Sequence, residues 1–433
     1  MNKRVLIISP YFAPLNTADM QRVRTSLPYF ASFGWDAEIV MVDEQYADVN
    51  RDDLLLQSVP PQTRIHKVAA LKKTWTAKLA LGSIALRSLW YYKQKVNELL
   101  ASDKYDLIYF STTQFPVCIL GAYWKKYFGI PYIIDIQDMW HSDFYQDKPK
   151  AERPRKYWFS YRLNKYLEPI AMRGVGGLIS VSAQYIETLK TRYPSIAGIP
   201  VATITFGAFE PDLKIAAANK ALFAPLLQDG FINVVYIGRG GMDMHVAIEP
   251  VFEALQKGLH TDPALFAKLK FWFIGTSYAA AGKGVPTILP LAKQYGVGGS
   301  VVEITDRISY YHALATLQQA DALFIPGSTD PQYTASKIYP YMLLKKPLLA
   351  ILHEKSSAVE IISECSKNAQ LAIFTNSTGV IQESVYRVLE QWASGTLIPV
   401  ETLPAFDAYS SRNLTRLQTD IFNLVLEQYA TAH

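Results

Sequence analysis

Short runs of apolar, often β-branched residues recur along the chain. Each is followed by a polar loop and then by a stretch with apolar positions at helical spacing. The first run, 5–9, leads through a loop at 10–20 into a predicted helix over 19–33. Val23, Leu27, Phe30 and Phe33 share a face of that helix, Pro28 kinks it and Gly34 ends it. Further strands are predicted at 35–42, 64–69, 106–111, 131–138, 177–182 and 201–206, with an apolar helix over 115–128. Residues 210–230 read as a connector, after which the pattern restarts. Strands are then predicted at 233–238, 270–275, 301–304, 322–325 and 348–352, and helices at 245–259, 287–295, 309–320 and 410–429. Apolar strands alternating with helices predict an α/β protein with doubly wound parallel sheets. The repeat divides it into two Rossmann-like domains, 1–212 and 213–409, and a C-terminal helix, 410–433, that can pack back on the first.

The segment 322–352 carries the strongest chemical signal. Its strand stops at Pro326-Gly327, a polar loop follows, and Ser336 stands as a helix N-cap with Lys337 in the first turn. A helix N-terminus at the carboxyl end of a parallel strand offers unpaired N–H groups and a positive dipole end to an anion. Ser336 and Lys337 add a donor and a charge. Taken alone, the same residues also fit an ordinary capped helix with a surface lysine.

Composition narrows the class. With 433 residues, half of them hydrophobic, the chain has material for two full cores. Cys118 and Cys365 lie in different halves and form no metal or disulfide framework, which fits a reducing cytoplasm. The first apolar run is too short for a signal segment, and no stretch reaches the roughly 18 apolar residues of a membrane span. A formal charge of +5 is modest. Two segments, 71–100 and 148–166, mix lysines and arginines with tryptophans and tyrosines. They suit an anionic inner membrane face or a lipid-linked substrate, or equally helices with snorkelling lysines. Neither is a nucleic-acid module. No G-x-G-x-x-G follows the first strand, which argues against a dehydrogenase.

Several stretches in order resemble one family. YFAPLNTADMQRVRTSLPYFASFGWDAEIV resembles the opening of retaining glycosyltransferases of family four, which have the GT-B fold. FGIPYIIDIQDMW resembles their strand ending in Asp and Trp, and NVVYIGRGG the strand and loop that open their second domain. SKIYPYMLLKKPLLAI resembles a donor-binding segment with a Ser-Lys pair and a Gly-Lys-Pro, here Lys345-Lys346-Pro347. FDAYSSRNLTRLQTDIFNLVL resembles the last helix. The chain departs from the pattern at three places. Asn16-Thr17-Ala18 replaces a Gly-Gly, Gln332 and Pro340 fall where two glutamates are usual, and 240–245 lacks the usual lysine.

The resemblance implies an enzyme that moves a sugar from a nucleoside diphosphate to a lipid-linked or polysaccharide acceptor. It implies retention of configuration, cell-surface polysaccharide synthesis, and work at the inner face of the cell membrane as a cytoplasmic, peripheral protein. No cofactor and no metal are implied beyond the nucleotide-sugar donor. Arg239 and Lys337 would stabilise the leaving diphosphate, and Asp138 would orient or deprotonate the acceptor. Gly238, Gly240, Arg307, Ile308, Gln332, Tyr333, Thr334, Ala335 and Ser336 would form the donor site, and Asn16, Thr17, Arg22 and Asp135 the acceptor side. An unbroken strand would point Asp135 and Asp138 to opposite faces. Gln332 and Pro340 keep a non-catalytic partner subunit of the same fold open, and an epimerase or hydrolase of nucleotide sugars is the other alternative.

Overall fold

The computed structural model describes residues 2–76, 82–143, 146, 149, 153, 157–330, 337–374 and 378–432. They form two compact units. The first comprises 1–206 and 411–433, and the second 207–410. The final helix, Ser411–Ala432, thus belongs to the first unit, and residues 207–212 to the second.

The first unit is built on seven strands: β1 (Lys3–Ile8), β2 (Trp35–Val42), β3 (Ile65–Val68), β4 (Leu107–Ser111), β5 (Tyr132–Ile136), β6 (Gly177–Ser180) and β7 (Val201–Thr203). All neighbours are parallel, in the order β3-β2-β1-β4-β5-β6-β7. Alternate residues of each strand face opposite layers. Leu6, Ile8, Val40, Phe110 and Ile134 join one core with Tyr92, Val96 and Trp124 from the helices Ile84–Ser102 and Ile119–Phe128. The other face receives the C-terminal helix. Its Phe422 packs on Phe30, Trp35 and Tyr109 with ring centroids 5.1–6.0 Å apart. Gly177 is required by this contact, since a Cβ there would sit 2.7 Å from Val425 Cγ2.

The second unit holds six parallel strands: β8 (Ile232–Ile237), β9 (Leu269–Ile274), β10 (Val301–Ile304), β11 (Ala322–Pro326), β12 (Leu348–His353) and β13 (Gln370–Phe374). Their order is β10-β9-β8-β11-β12-β13. In both sheets the order reverses beside the first strand of the unit, which places ligand crevices at the carboxyl ends near β1 and near β8.

Some predicted elements are shorter or different. The helix over 19–33 is an α-helix only at Gln21–Ser26, and Phe30–Phe33 is a 3-10 turn, because Pro28 cannot donate to the helical ladder. Strand 201–206 stops at Thr203. The connector at 210–230 begins as a helix, Glu210–Ala218, with Pro211 at its start and two acids in its first turn. Its Asp212 accepts hydrogen bonds from the hydroxyls of Tyr310 and Tyr311 at 2.8 and 2.9 Å, fastening it to helix Tyr310–Gln319.

Candidate active site

The cations expected to hold a diphosphate meet at the carboxyl ends of β8 to β11. β8 ends at Ile237, and Gly238 to Gly241 turn away from it. Gly238 N–H still bonds Ile274 O, and Gly240 N–H bonds Thr276 O, so the turn is pinned to the end of β9. Lys337 immediately precedes helix Ile338–Leu343 and stands at the cap position rather than in the first turn. Its ammonium runs back under Gly238. A Cβ at Gly238 would lie 1.8 Å from Lys337 Nζ and 2.4 Å from the Tyr236 hydroxyl, so any larger residue there would displace these side chains. Nζ also sits 5.0 Å from the centroid of the Tyr236 ring. Among the described residues no carboxylate lies within ion-pair distance of it. Burial, reinforced by the positive charges of Arg307 and Arg239, pushes its pKa down to about 8.

Arg239 is held in a fork. Its two terminal nitrogens donate to Asp243 Oδ1 and Oδ2 at 3.0 and 2.6 Å. Ser328 Oγ donates to the same Oδ2, and Thr329 N–H bonds Asp243 O, which ties the loop after β11 to the loop after β8. The hydrogen bonds from Arg239 hold the Asp243 carboxyl down at about 2. Asp243 was not foreseen. Its signal was the i,i+4 spacing to Arg239.

Arg307 is exposed after β10, with its guanidinium 4.6 Å from the Tyr278 ring. Ile308 follows it, and Ser309 caps helix Tyr310–Gln319 by accepting from His312 N–H. Gln332, Tyr333, Thr334, Ala335 and Ser336 lie outside the described residues. Pro340 sits within the helix that follows Lys337.

In the first unit the structure rearranges the expected roles. Arg22 and Asp135, expected to face an acceptor, are buried against each other with Nε to Oδ2 at 2.7 Å. Arg22 also donates to the carbonyls of Ile204 and Thr205, and Asp135 accepts from Ser111 Oγ and Gln137 Nε2. Every terminal nitrogen of Arg22 is thereby engaged with the protein itself, as a brace between helix Gln21–Ser26, β5 and the end of β7. β5 stops at Ile136, so no unbroken strand links the two aspartates. Asp138 stands exposed in the following turn, its Oδ1 accepting from Met139 N–H at 2.8 Å. Asn16 and Thr17 are half-buried in the loop after β1, where Asn16 N–H bonds Asn50 O. Among the described residues no cluster of His, Cys, Asp and Glu suits a metal ion.

No family model and no curated protein matches the sequence. Solved structures do match. The N-terminal domain of trehalose-6-phosphate phosphatase from Candida albicans aligns with a TM-score of 0.58 at 14% identity, over 98% of this chain and 97% of that one. An α,α-trehalose-phosphate synthase (UDP-forming) from Burkholderia xenovorans, in complex with glucose-6-phosphate, aligns with a TM-score of 0.55 at 12% identity, over 98% and 100%. WaaG, a glycosyltransferase involved in lipopolysaccharide biosynthesis, aligns with a TM-score of 0.50 at 12% identity, over 98% of both chains. At such identities the shared property is the fold, two Rossmann-like units of the GT-B type.

Proposed function

We propose that this protein is a glycosyltransferase that takes a sugar from a nucleoside diphosphate and passes it to a lipid-linked or polysaccharide acceptor. The observation that carries the reading is the buried ammonium of Lys337 at a strand-end crevice, within the influence of the Arg307 and Arg239 charges and with no carboxylate in ion-pair distance among the described residues. A buried ammonium that feels two neighbouring guanidinium charges, only one of which (Arg239) is paired with a carboxylate here, is costly unless an anion joins it. A diphosphate leaving group gains negative charge as the glycosidic bond breaks, so such a site stabilises the transition state more than the ground state. The reading assigns that charge to lysine and arginine rather than to a metal ion. Retention of configuration and a place in cell-surface polysaccharide synthesis come with the family resemblance.

Asp138, exposed at the carboxyl end of β5, is the carboxylate assigned to orient or deprotonate the acceptor hydroxyl. Helix Tyr157–Met172 presents Trp158, Arg162, Lys165 and Tyr166 outward, with Arg162 stacked 5.9 Å from the Trp158 ring. Basic residues among exposed rings suit the surface of an anionic leaflet. Among the described residues no helix is long and apolar enough to cross a membrane.

The test is binding followed by turnover. Nucleotide sugars and free nucleotides are screened by thermal shift, where ligand at about 100 times its dissociation constant stabilises by about 2.7 kcal/mol. One donor and its nucleotide should stabilise the protein, and Lys337→Ala should remove the shift. Arg239→Ala and Lys337→Ala should each lower turnover by roughly 10²–10³. Nucleotide binding without sugar transfer or donor hydrolysis would move the conclusion to a non-catalytic subunit, the alternative that Gln332 and Pro340 raise. Donor breakdown with no acceptor present would favour an epimerase or hydrolase.

A further inference from the structure

The first unit contains a pocket of about 460 Å³ at the carboxyl ends of β4 and β5, within the usual range for small-molecule sites. Its floor is preformed. Phe115 and Trp140 stack with centroids 5.4 Å apart, and Asn164 holds the Trp140 indole N–H at 3.2 Å and donates to the Trp140 carbonyl. The wall is partly exposed and apolar, from Leu86, Met139, Phe159 and Leu163. Phe159 and Leu163 are one turn apart, and with Ser160 and Asn164 they form the mixed apolar and polar face that helix Tyr157–Met172 turns to the pocket, while Arg162 and Lys165 point outward. Asp138 also lines the pocket, and among the described residues no cation pairs with it.

These features restrict the ligand. A partly exposed apolar wall gains by being covered with hydrocarbon. A carboxylate with no cation on it among the described residues accepts hydrogen bonds from hydroxyls and disfavours phosphate or carboxylate groups beside it. A free monosaccharide would leave the apolar wall wet, and an anionic head would meet Asp138. We propose that this pocket binds the uncharged, hydroxylated end of an amphiphilic molecule together with the first carbons of its apolar portion. Any anionic group of that molecule lies outside, on the basic side of the helix. Naming the ligand as the acceptor rests on the glycosyltransferase reading; the binding preference does not.

The experiment measures the intact protein, without nucleotide, against methyl, butyl and hexyl β-D-glucopyranoside and hexyl phosphate by calorimetry and tryptophan fluorescence. A chain that enters the wall should tighten binding by up to about three- to fourfold per methylene. Hexyl glucoside should bind at least about tenfold tighter than methyl glucoside and tighter than hexyl phosphate. Leu163→Gln, which makes the wall polar, and Ser160→Trp, which fills the pocket, should erase the chain-length gain. Asp138→Asn should bring hexyl phosphate close to hexyl glucoside. Equal binding of methyl and hexyl glucosides, or a gain unchanged in both wall variants, overturns the proposal, as does preference for the phosphate in the parent. Because the nucleotide screen is a separate measurement, a hexyl glucoside that binds while no nucleotide does would sink the glycosyltransferase reading and leave the pocket standing.

Discussion

Replacing Lys337 by methionine separates what the lysine costs the fold from what it does for a ligand. An ordinary lysine titrates near 10.5, and this one near 8. The unfolded chain therefore holds its proton more tightly than the folded protein does. Below pH 8 both states are protonated, and the folded one carries a buried ammonium within the influence of the Arg307 and Arg239 charges. The gap corresponds to about 3 kcal/mol of lost stability. Between pH 8 and 10.5 the folded protein has released the proton while the unfolded chain keeps it, so the parent gains that stability back as pH rises. Above 10.5 the gain is complete. Lys337→Met carries no such charge and shows no such climb.

The measurement is unfolding of parent and variant at several pH values from 6.5 to 11, following the second unit, and subtraction of the two curves so that other titrating groups cancel. At pH 7 the methionine variant should be more stable by up to about 3 kcal/mol, or roughly 6–12 °C for a unit of this size. The difference should close as pH rises through 8 to 10.5. Ligand binding should run the other way. A bound diphosphate favours the charged ammonium, so nucleotide affinity in the parent should weaken above pH 8 by up to about tenfold per pH unit, and this dependence should vanish in the variant. Parallel parent and variant curves across pH 8 to 10.5 would refute the reasoning, as would a variant less stable at pH 7.

Three other outcomes are expected. Arg22→Leu strands Asp135 in the core and should destabilise by about 3–5 kcal/mol, with Arg22→Leu/Asp135→Leu recovering part of the loss in urea unfolding and the nucleotide-induced shift intact. Gly238→Ala puts a methyl group where Lys337 Nζ and the Tyr236 hydroxyl already stand, so calorimetry should show nucleotide affinity falling at least about tenfold while the circular dichroism spectrum is unchanged. Lys345, which has a left-handed φ of 51°, should gain roughly 1 kcal/mol on replacement by glycine, read as a raised midpoint in urea.

What the sequence revealed follows the range of the interactions involved. Both sheets were legible because parallel strands buried on two faces are continuous apolar runs, and Leu6-Ile7-Ile8 or Leu323-Phe324-Ile325 can be little else. The stretch 353–405 carries no element in the sequence reading, although Ala358, Ile361, Ile362 and Cys365 mark helix Ser357–Cys365 and Ser356 caps it. Its strand, Gln370–Phe374, is short and alternates weakly, with Ile373 partly exposed. In the candidate site, Arg239 and Lys337 could be singled out from sequence because each follows a local signal, a strand end or a cap. Their environment was not legible. That Lys337 lies under Gly238 depends on 98 residues of intervening chain, and no local pattern says which glycine a lysine will approach. The same limit explains Arg22 and Asp135. From sequence, an arginine near the first loop and an aspartate near a strand end both look available to a ligand. Only the packing of helix Gln21–Ser26 over β5 shows that they neutralise each other at 2.7 Å. The contrast is informative, because the two units treat charge in opposite ways. In the first, the buried arginine has its carboxylate and two carbonyls. In the second, the buried lysine has two arginines and a tyrosine ring beside it. Among the described residues Lys337 has no carboxylate of the kind that Arg22 has, and a bound anion would supply that counter-charge, which is why the proposed donor site is put in the second unit.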